Sequence, residues 1–237
     1  MNKKTVLVTG ASRGIGRAIA LTFANYGYHV FLNCSRSVDE LEKMKSEILT
    51  IPGGSCDLLV GDIGNSQFVS QMFDEIYKKC DALDVLVNNA GVMYCQGIAE
   101  TSERMLKLIM MVHMNTPLIL CRKYVNGMKE RGCGYILNIS SLAAWMSWPG
   151  IGMYGNTKRF VRNYSRELRI ECQRTCVSVT NAYFGAVDTP LIPLKDSLRK
   201  LARVLAVMIT AEKAVDRALN ATFRRRRGVM PGALNHI

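Results

Sequence analysis

A tyrosine and a lysine four residues apart are the pair of side chains in this sequence best suited to chemistry. Tyr154 and Lys158 occur in the segment YGNTK at 154–158, and this spacing places both on one face of a helix. A free tyrosine titrates near pH ~10, and a close cation lowers that pKa by favouring the phenolate. Ser141 ends the preceding predicted strand, where its hydroxyl could share charge on a substrate oxygen. Alone, each feature is also typical of a surface pair or a strand-end cap, but together they predict a proton-transfer site.

A glycine-rich turn near the start of the chain indicates a phosphate site. The segment TGASRGIG at 9–16 directly follows an apolar run. It puts Gly10, Gly14 and Gly16 where backbone approaches a ligand closely and a helix packs on a sheet. The helix that begins near Gly14 presents unpaired N–H groups to an anion. A purely structural turn also uses glycine, but a turn in the first strand–helix unit favours a dinucleotide.

The end of the second predicted strand favours NADP(H) over NAD(H). A carboxylate about 20 residues after the turn holds the ribose 2′-hydroxyl of NAD, and this chain has Cys34, Ser35 and Arg36 there. Arg36, with Arg13 inside the turn, suits a 2′-phosphate because a guanidinium fork matches phosphate geometry. The alternative is that both arginines are solvated loop residues.

Alternating strand and helix patterns must position these groups. The predicted strands are 5–9, 30–33, 55–61, 85–88, 135–140, 177–182 and a short one around Val229. The predicted helices follow the glycine turn and then span 38–49, 65–80, 102 to about 131, 154–173 and 211–224. Such alternation implies right-handed crossovers and a parallel sheet. We expect one α/β domain over residues 1–237, a Rossmann-like doubly wound parallel sheet of about seven strands with helices on both faces.

Composition narrows the class of protein. Of 237 residues, 49% are hydrophobic and 21% charged, which excludes intrinsic disorder. The longest apolar run, 204–209, is far shorter than the ~20 residues of a membrane helix, so we expect no membrane span and a cytoplasmic location. Eight cysteines form no CxxC pair, and no metal site is expected.

The charge balance favours an anionic partner without naming one. The net charge is +12, and its densest cluster is the four-arginine run at 224–227. That run either complements a helix dipole in solvent or forms a binding patch. No basic stretch is interleaved with aromatic residues, so nucleic-acid binding is not expected.

Taken together, the motifs resemble the short-chain dehydrogenase/reductase family. TGASRGIG, Asp62 in GDIG, NNAG at 88–91, Ser141 and YGNTK occur in the family's order and at its spacings, from Thr5 to about Thr189. The resemblance implies a nicotinamide cofactor and reversible hydride transfer between that cofactor and a carbonyl or secondary alcohol. It also implies an adenine contact at Asp62 and Ile63. The residues expected to bind NADP(H) are Gly10, Ser12, Arg13, Gly14, Ile15, Gly16, Ser35, Arg36, Asp62, Ile63, Asn89, Ala90, Gly91, Tyr154, Lys158, Val187 and Thr189.

His113 is the main departure from the family pattern and a fourth catalytic candidate beside Ser141, Tyr154 and Lys158. Counting from Ser141 or Asn89 reaches His113 where the family places an asparagine that supports a lysine-linked water. Asn115 is a near miss, because two residues turn a helical side chain by about 200°. His113 either acts as a polar relay that titrates near neutrality or packs beside the site, and the sequence leaves both open.

Smaller departures concern the surroundings of the site. Phe184-Gly185 replaces the family's Pro-Gly, which suggests a more mobile loop, and Asn156 and Arg159 stand where small residues are usual. By the family's geometry, residues 190–210 form a substrate lid, although their leucine spacing equally fits core helices. The same geometry directs four large side chains into the cleft, and these imply a hydrophobic carbonyl substrate. They are Trp145, Met146, Trp148 and Met153.

Two alternative functions stay open. The glycine turn and positive charge also fit a 3-oxoacyl-[acyl-carrier-protein] reductase with acyl carrier protein as a partner, although the RRRRGVMPGALNHI tail resembles broad-specificity reductases more closely. His113 and Phe184 leave room for an NADP-binding regulator that has lost turnover. The family implies a homodimer or homotetramer in each case.

Overall fold

Seven parallel strands form the central sheet in a computed structural model that describes residues 3–80, 82–146, 150–189 and 208–230. The strands of this sheet are β1 Thr5–Val8, β2 His29–Cys34, β3 Ser55–Val60, β4 Val85–Asn88, β5 Gly134–Ser141, β6 Val177–Phe184 and β9 Gly228–Val229. They lie in the order β3-β2-β1-β4-β5-β6-β9, and every neighbouring pair is parallel. The predicted Rossmann-like sheet is confirmed.

Helices cover both faces of the sheet. They are α1 Gly14–Asn25, α2 Val38–Thr50, α3 Ser66–Lys79, α4 Glu103–Met110, α5 Thr116–Glu130, α6 Gly152–Glu171 and α7 Ala211–Phe223. One apolar layer contains α1, α2 and α7, and the other contains α3, α5 and α6. Strand β1 shows the alternation behind the two layers, since Val6 and Val8 join the first and Leu7 the second. Within the described ranges, none of the helices has the length and apolarity to cross a membrane.

The strand order places a crevice at the carboxyl ends of β1 and β4. From β1 the chain builds outward to β2 and β3, and then returns to place β4 on the other side of β1. Helices on opposite faces leave a gap where the order reverses, and ligands of open α/β sheets bind there. The glycine turn follows β1 and the NNAG segment includes the end of β4, so both meet at this gap.

The chain is helical over 103–130, close to the predicted 102–131, but an unpredicted π turn at Met111–Asn115 interrupts the α-helical hydrogen bonds. In this turn the N–H of Thr116 donates to the carbonyl of Met111, five residues earlier. Pro117 follows directly, and it has no N–H for the carbonyl of His113, its partner in an α-helix. The wider turn relieves that conflict and changes the direction of the His113 side chain.

A small second sheet lies at the end of the predicted lid. Strand β7 Ala186–Val187 pairs in parallel with β8 Met208–Ile209, and the N–H of Asp188 donates to the carbonyl of Ile209 at 2.9 Å. The sequence patterns predicted neither strand, and the lid over 190–210 stays a prediction. Residues 190–207 of that prediction, and Trp148, lie outside the described residues.

The four-arginine run forms the connection from α7 to β9. Arg225 adopts a left-handed conformation with φ 54° directly after the helix end, and its guanidinium lies 5.8 Å from the ring centre of Tyr135. The carbonyls of Arg226 and Arg227 accept from Thr180 Oγ1 and from the Asn181 N–H, at 2.7 Å and 3.2 Å. The position of the run at the end of α7 fits complementation of the helix dipole.

Candidate active site

The glycine turn packs so closely against the loop after β4 that side chains would not fit. Gly10 and Gly14 have positive φ values of 67° and 57°. A Cβ added to Gly10 would lie 2.8 Å from the Ala90 Cα, and one added to Gly16 would lie 2.2 Å from the Gly10 carbonyl oxygen. Both clashes are with backbone, so the turn keeps its shape only with glycine at these positions.

Two polar side chains hold the turn in place. The Thr9 hydroxyl accepts from the N–H groups of Asn89 at 3.0 Å and Ala90 at 3.1 Å and donates to the Val87 carbonyl at 3.2 Å. The Asn89 side-chain amide donates to the carbonyls of Thr9 and Gly10 at 2.9 Å and 3.0 Å. Asn89, which the resemblance makes a cofactor contact, therefore also braces the turn. Thr9 was not singled out from the sequence, although a hydroxyl residue just before the first glycine was an available signal.

Helix α1 begins at the crevice without a side-chain cap. Its first residue is preceded by Arg13, which makes no side-chain cap, and its first turn holds no acidic residue. This arrangement suits an anionic ligand. Across the crevice, Asp62 accepts from the Gly64 N–H at 2.8 Å, and the Ile63 carbonyl accepts from Thr116 Oγ1 at 2.6 Å. The loop after β3 is therefore anchored to the start of α5.

A cavity of about 700 Å³ runs along this edge of the sheet. Its size and its mixture of apolar walls and a few polar groups are typical of a cofactor site. All residues that the sequence suggested for the cofactor line it, together with Ser141, whereas His113 does not. They are Gly10, Ser12, Arg13, Gly14, Ile15, Gly16, Ser35, Arg36, Asp62, Ile63, Asn89, Ala90, Gly91, Tyr154, Lys158, Val187 and Thr189.

Strand β5 and helix α6 bring the proton-transfer residues to one wall of the cavity. Ser141 ends β5, where its hydroxyl interacts with that of Tyr154 and accepts from the Ala143 N–H at 3.2 Å. The Lys158 ammonium donates to the Ile139 carbonyl at 2.9 Å and lies 5.7 Å from the ring centre of Tyr154. The Ser140 hydroxyl donates to the Lys158 carbonyl at 3.1 Å, which ties α6 to β5.

Burial sets the charge states of this wall. Lys158 is 5% exposed, and burial lowers its pKa to about 8. Burial also raises the pKa of Tyr154, against the opposing effect of the hydrogen bond from Ser141. The sequence argument expected Lys158 to lower the Tyr154 pKa, but the structure directs the ammonium to a backbone carbonyl. The phenol is therefore protonated at neutral pH and suited to donate a proton.

His113 lies behind Tyr154 rather than in the cavity. It is 1% exposed, and its ring meets that of Tyr154 edge-to-face with centres 5.6 Å apart. Its Nε2 accepts from the Val92 N–H at 2.9 Å, and its Nδ1 lies 2.8 Å from Thr157 Oγ1. Asn115 is exposed and contacts the Met111 sulfur at 3.5 Å, so it faces away from this wall. Sequence reasoning did not single out Thr157, although it is the residue directly before Lys158.

The apolar part of the cavity differs from the sequence expectation. Trp145 and Met146 are 45% and 53% exposed and do not line the cavity, nor does Met153. The Arg162 guanidinium stacks on Trp145 with 3.4 Å between the Cζ atom and the ring centre, which holds the indole outside. The larger apolar residues that line the cavity include Val92, Met93, Leu142, Ile151 and Phe184.

The other departures have structural partners. Phe184 is 3% exposed and packs with the α1 and α7 layer. Arg159 donates to the Asn156 side-chain oxygen at 3.3 Å. Among the described residues, no group of three or more His, Cys, Asp or Glu could hold a metal ion.

A glycine-lined anion crevice that shares one cavity with a serine, a tyrosine and a lysine defines a nucleotide-dependent oxidoreductase site. The sequence profile described as short chain dehydrogenase matches residues 4–199, and this chain belongs to that family. Its site combines a glycine-lined crevice with His113, at a position where the resemblance predicts an asparagine.

Relatives and solved structures agree with the family assignment. An NADP-dependent 3-hydroxy acid dehydrogenase from Escherichia coli is 34% identical over 185 residues, covering 77% of this chain and 72% of the relative. A fatty acyl-CoA reductase from Mycobacterium tuberculosis is 31% identical over 220 residues, covering 89% and 74%. The structure of an alcohol dehydrogenase from Thermococcus sibiricus complexed with 5-hydroxy-NADP superposes with a TM-score of 0.84 at 26% identity, covering 99% of this chain and 98% of that one.

Replacement of Gly16 by alanine tests the close approach at the turn. The added Cβ would meet the Gly10 carbonyl, so the turn must move and the affinity for NADPH should fall by more than about tenfold. Isothermal titration calorimetry measures the loss. Gly127→Ala in α5 is the control, because its Cβ meets only the flexible end of Arg131. Unchanged NADPH affinity in Gly16→Ala would contradict this account of the turn.

Proposed function

We propose that this protein is an NADP(H)-dependent oxidoreductase that interconverts a hydrophobic carbonyl compound and its secondary alcohol. The observation that carries the proposal is the placement of Ser141, Tyr154 and Lys158 in the lining of the cavity that also contains the glycine turn. A proton donor and a dinucleotide site within one cavity are the two requirements of carbonyl reduction. The relatives' activities support the reaction class.

The residues at the adenine end fit NADP(H). The turn leaves room for a diphosphate only because Gly10 and Gly16 lack side chains, and α1 offers uncapped N–H groups. Arg13 and Arg36 are exposed at the rim of the same cavity and would hold a 2′-phosphate. No acid occupies 34–36 to bind a free 2′-hydroxyl. The Escherichia coli relative and the Thermococcus sibiricus complex support the choice of NADP. When bound, the nicotinamide supplies or accepts the hydride.

Three residues of the chain transfer the proton and stabilise the negative charge that develops during the reaction. In reduction, the Tyr154 hydroxyl donates its proton to the carbonyl oxygen as that oxygen gains negative charge. The Ser141 hydroxyl donates a hydrogen bond to the same oxygen and shares its charge. The phenolate left on Tyr154 is stabilised by the buried Lys158 ammonium, which lies on the same helix face one turn away. In oxidation, the same groups act in reverse.

The apolar part of the cavity lining supports an apolar substrate. Met93, Leu142, Ile151 and Phe184 contribute to this lining. Such residues favour a ligand whose carbonyl is its principal polar group, since an apolar wall leaves further polar groups without partners.

A thioester substrate is the second candidate. The net charge of +12 favours an anionic carrier such as acyl carrier protein, and the Mycobacterium tuberculosis relative is named as a fatty acyl-CoA reductase. In this case Tyr154 would protonate the 3-oxo group of the acyl chain. A homodimer or homotetramer, as the family resemblance implies, accommodates either substrate.

Replacement of Arg36 by alanine tests the choice of cofactor. Loss of the guanidinium should weaken NADPH binding about tenfold and leave NADH binding within about twofold, since only NADPH carries the 2′-phosphate. Fluorescence titration of both cofactors measures the gap. Arg17→Ala is the control, because Arg17 pairs with Glu47 and does not line the cavity. Equal affinity of the unmodified protein for both cofactors would contradict the NADP proposal.

A substrate panel tests the reaction itself. NADPH oxidation should be seen with at least one member of a set of hydrophobic ketones, diketones and acetoacetyl thioesters, and the thioesters decide between the two candidates. Tyr154→Phe should lower kcat by about 100-fold or more, because it removes the proton donor, whereas Tyr77→Phe on the exposed face of α3 should not. NADPH binding without turnover of any compound would favour a regulatory protein and refute the proposal.

A further inference from the structure

The His113 side chain joins two elements that frame the catalytic tyrosine. On one side, its Nε2 lies 2.9 Å from the Val92 nitrogen in the loop after β4. On the other, its Nδ1 lies 2.8 Å from the Thr157 hydroxyl on α6. Val92 lines the cavity, and Thr157 lies between Tyr154 and Lys158 in sequence. The imidazole thus connects the cavity wall to the helix that carries the proton donor.

The directions of these hydrogen bonds fix the protonation of the ring. The Val92 N–H is a donor, so Nε2 must carry a lone pair. The Thr157 hydroxyl donates its proton to the Tyr154 carbonyl at 2.9 Å, so it accepts from Nδ1–H. One consistent chain of donors therefore runs from Val92 through His113 and Thr157 to Tyr154. It requires a neutral imidazole with its proton on Nδ1.

The ring has no acceptor for a second proton. Protonation of Nε2 would direct one N–H at another, that of Val92, and the charged imidazolium would be buried away from solvent. Burial, and then the Lys158 ammonium, hold the pKa of His113 well below its usual range. Lys158 and Tyr154, both on α6, are the titratable groups that the structure places beside the ring. Both ring nitrogens are already used, so the side chain cannot also pass protons.

Local structure around the ring is adapted to this contact. His113 is the central residue of the π turn, and its ring packs edge-to-face with the Tyr154 ring. Gly91 is the residue just before Val92, and a Cβ there would lie 3.1 Å from His113 Nε2. The loop and the helix therefore approach each other with the imidazole as the connecting group.

We propose that His113 is a positioning residue that, through Val92 and Thr157, fixes the hydroxyl of Tyr154 relative to the cavity. This role rests on the proposed carbonyl chemistry for its kinetic consequences, but its hydrogen-bonding state does not. It replaces the expectation of a catalytic relay at this position. Thr157 belongs to the same hydrogen-bonded chain and shares this positioning role.

Histidine nitrogen NMR tests the bonding state without any substrate. In protein labelled with ¹⁵N-histidine, one of the three histidines is assigned to His113 by its loss in His113→Gln. Its Nδ1 should be protonated and its Nε2 unprotonated, with no titration between about pH 5.5 and 8.5, whereas an unperturbed histidine titrates near ~6.5. The opposite tautomer, or titration within this range, would overturn the proposal even if the enzyme is active.

Kinetics with the best substrate from the panel test positioning. Leucine at 113 removes both ring nitrogens, and Thr157→Val removes the acceptor for Nδ1–H. Each change should lower kcat on the order of tenfold and leave the NADPH Kd within about twofold. Thr157→Ser keeps the hydroxyl and should restore kcat. Asn115→Ala in the same π turn is the control and should leave kcat unchanged.

The double variant separates a shared contact from two independent defects. If both residues act through one hydrogen-bonded chain, His113→Leu/Thr157→Val should have a kcat within about twofold of the more impaired single variant. Effects that multiply, or a Thr157→Ser variant as impaired as Thr157→Val, would overturn the proposal. If no compound is turned over, the proposed function fails, and the NMR result still decides the bonding state of His113.

Discussion

The burial of one ammonium group constrains the whole catalytic wall. Lys158 is almost inaccessible to solvent and donates to the carbonyl of Ile139, so its charge is held by backbone rather than by a carboxylate. An ion in this environment is costly unless it is hydrogen-bonded, which requires α6 to stay in register with β5. The Ser140 hydroxyl adds a second tie between the same two elements. This burial places the Lys158 ammonium where little water screens its charge, so the ammonium can stabilise a phenolate on Tyr154.

The sheet topology brings this wall to the cofactor crevice. The reversal of strand order beside β1 opens a gap, and the glycine turn approaches the loop after β4 within backbone contact. Thr9 and Asn89 hold that approach with five hydrogen bonds. The same loop then reaches Val92, which His113 connects to α6. The dinucleotide turn and the proton donor are therefore linked by one continuous set of short polar contacts.

The sequence predicted those parts of the site that depend on local spacing. The glycine turn, the serine at the end of β5 and the Tyr154 and Lys158 pair each lie within one strand–helix unit, and alternation of strands and helices predicted the sheet. Parts that depend on distant partners were missed. Thr9 is hydrogen-bonded to the loop after β4, and Thr157 to His113, and both partners lie far from them along the chain. The π turn was missed for a different reason: Pro117 removes one hydrogen-bond donor from the helix, while the apolar pattern of that helix continues. The family's geometry placed Trp145 and Met146 in the cleft. The sequence alone does not reveal that Arg162 stacks on the indole and holds it outside.

The pH dependence of kcat/KM for carbonyl reduction tests the central claim most directly, because this constant reports ionisations of the free enzyme. Lys158 must be charged to stabilise the phenolate, and burial lowers its pKa to about 8. The Tyr154 pKa is raised by burial, so the phenol keeps its proton over the same interval. The account predicts a level profile through neutral pH and a fall of about tenfold per pH unit above about 8. A profile that stays level to about pH 10 would contradict it.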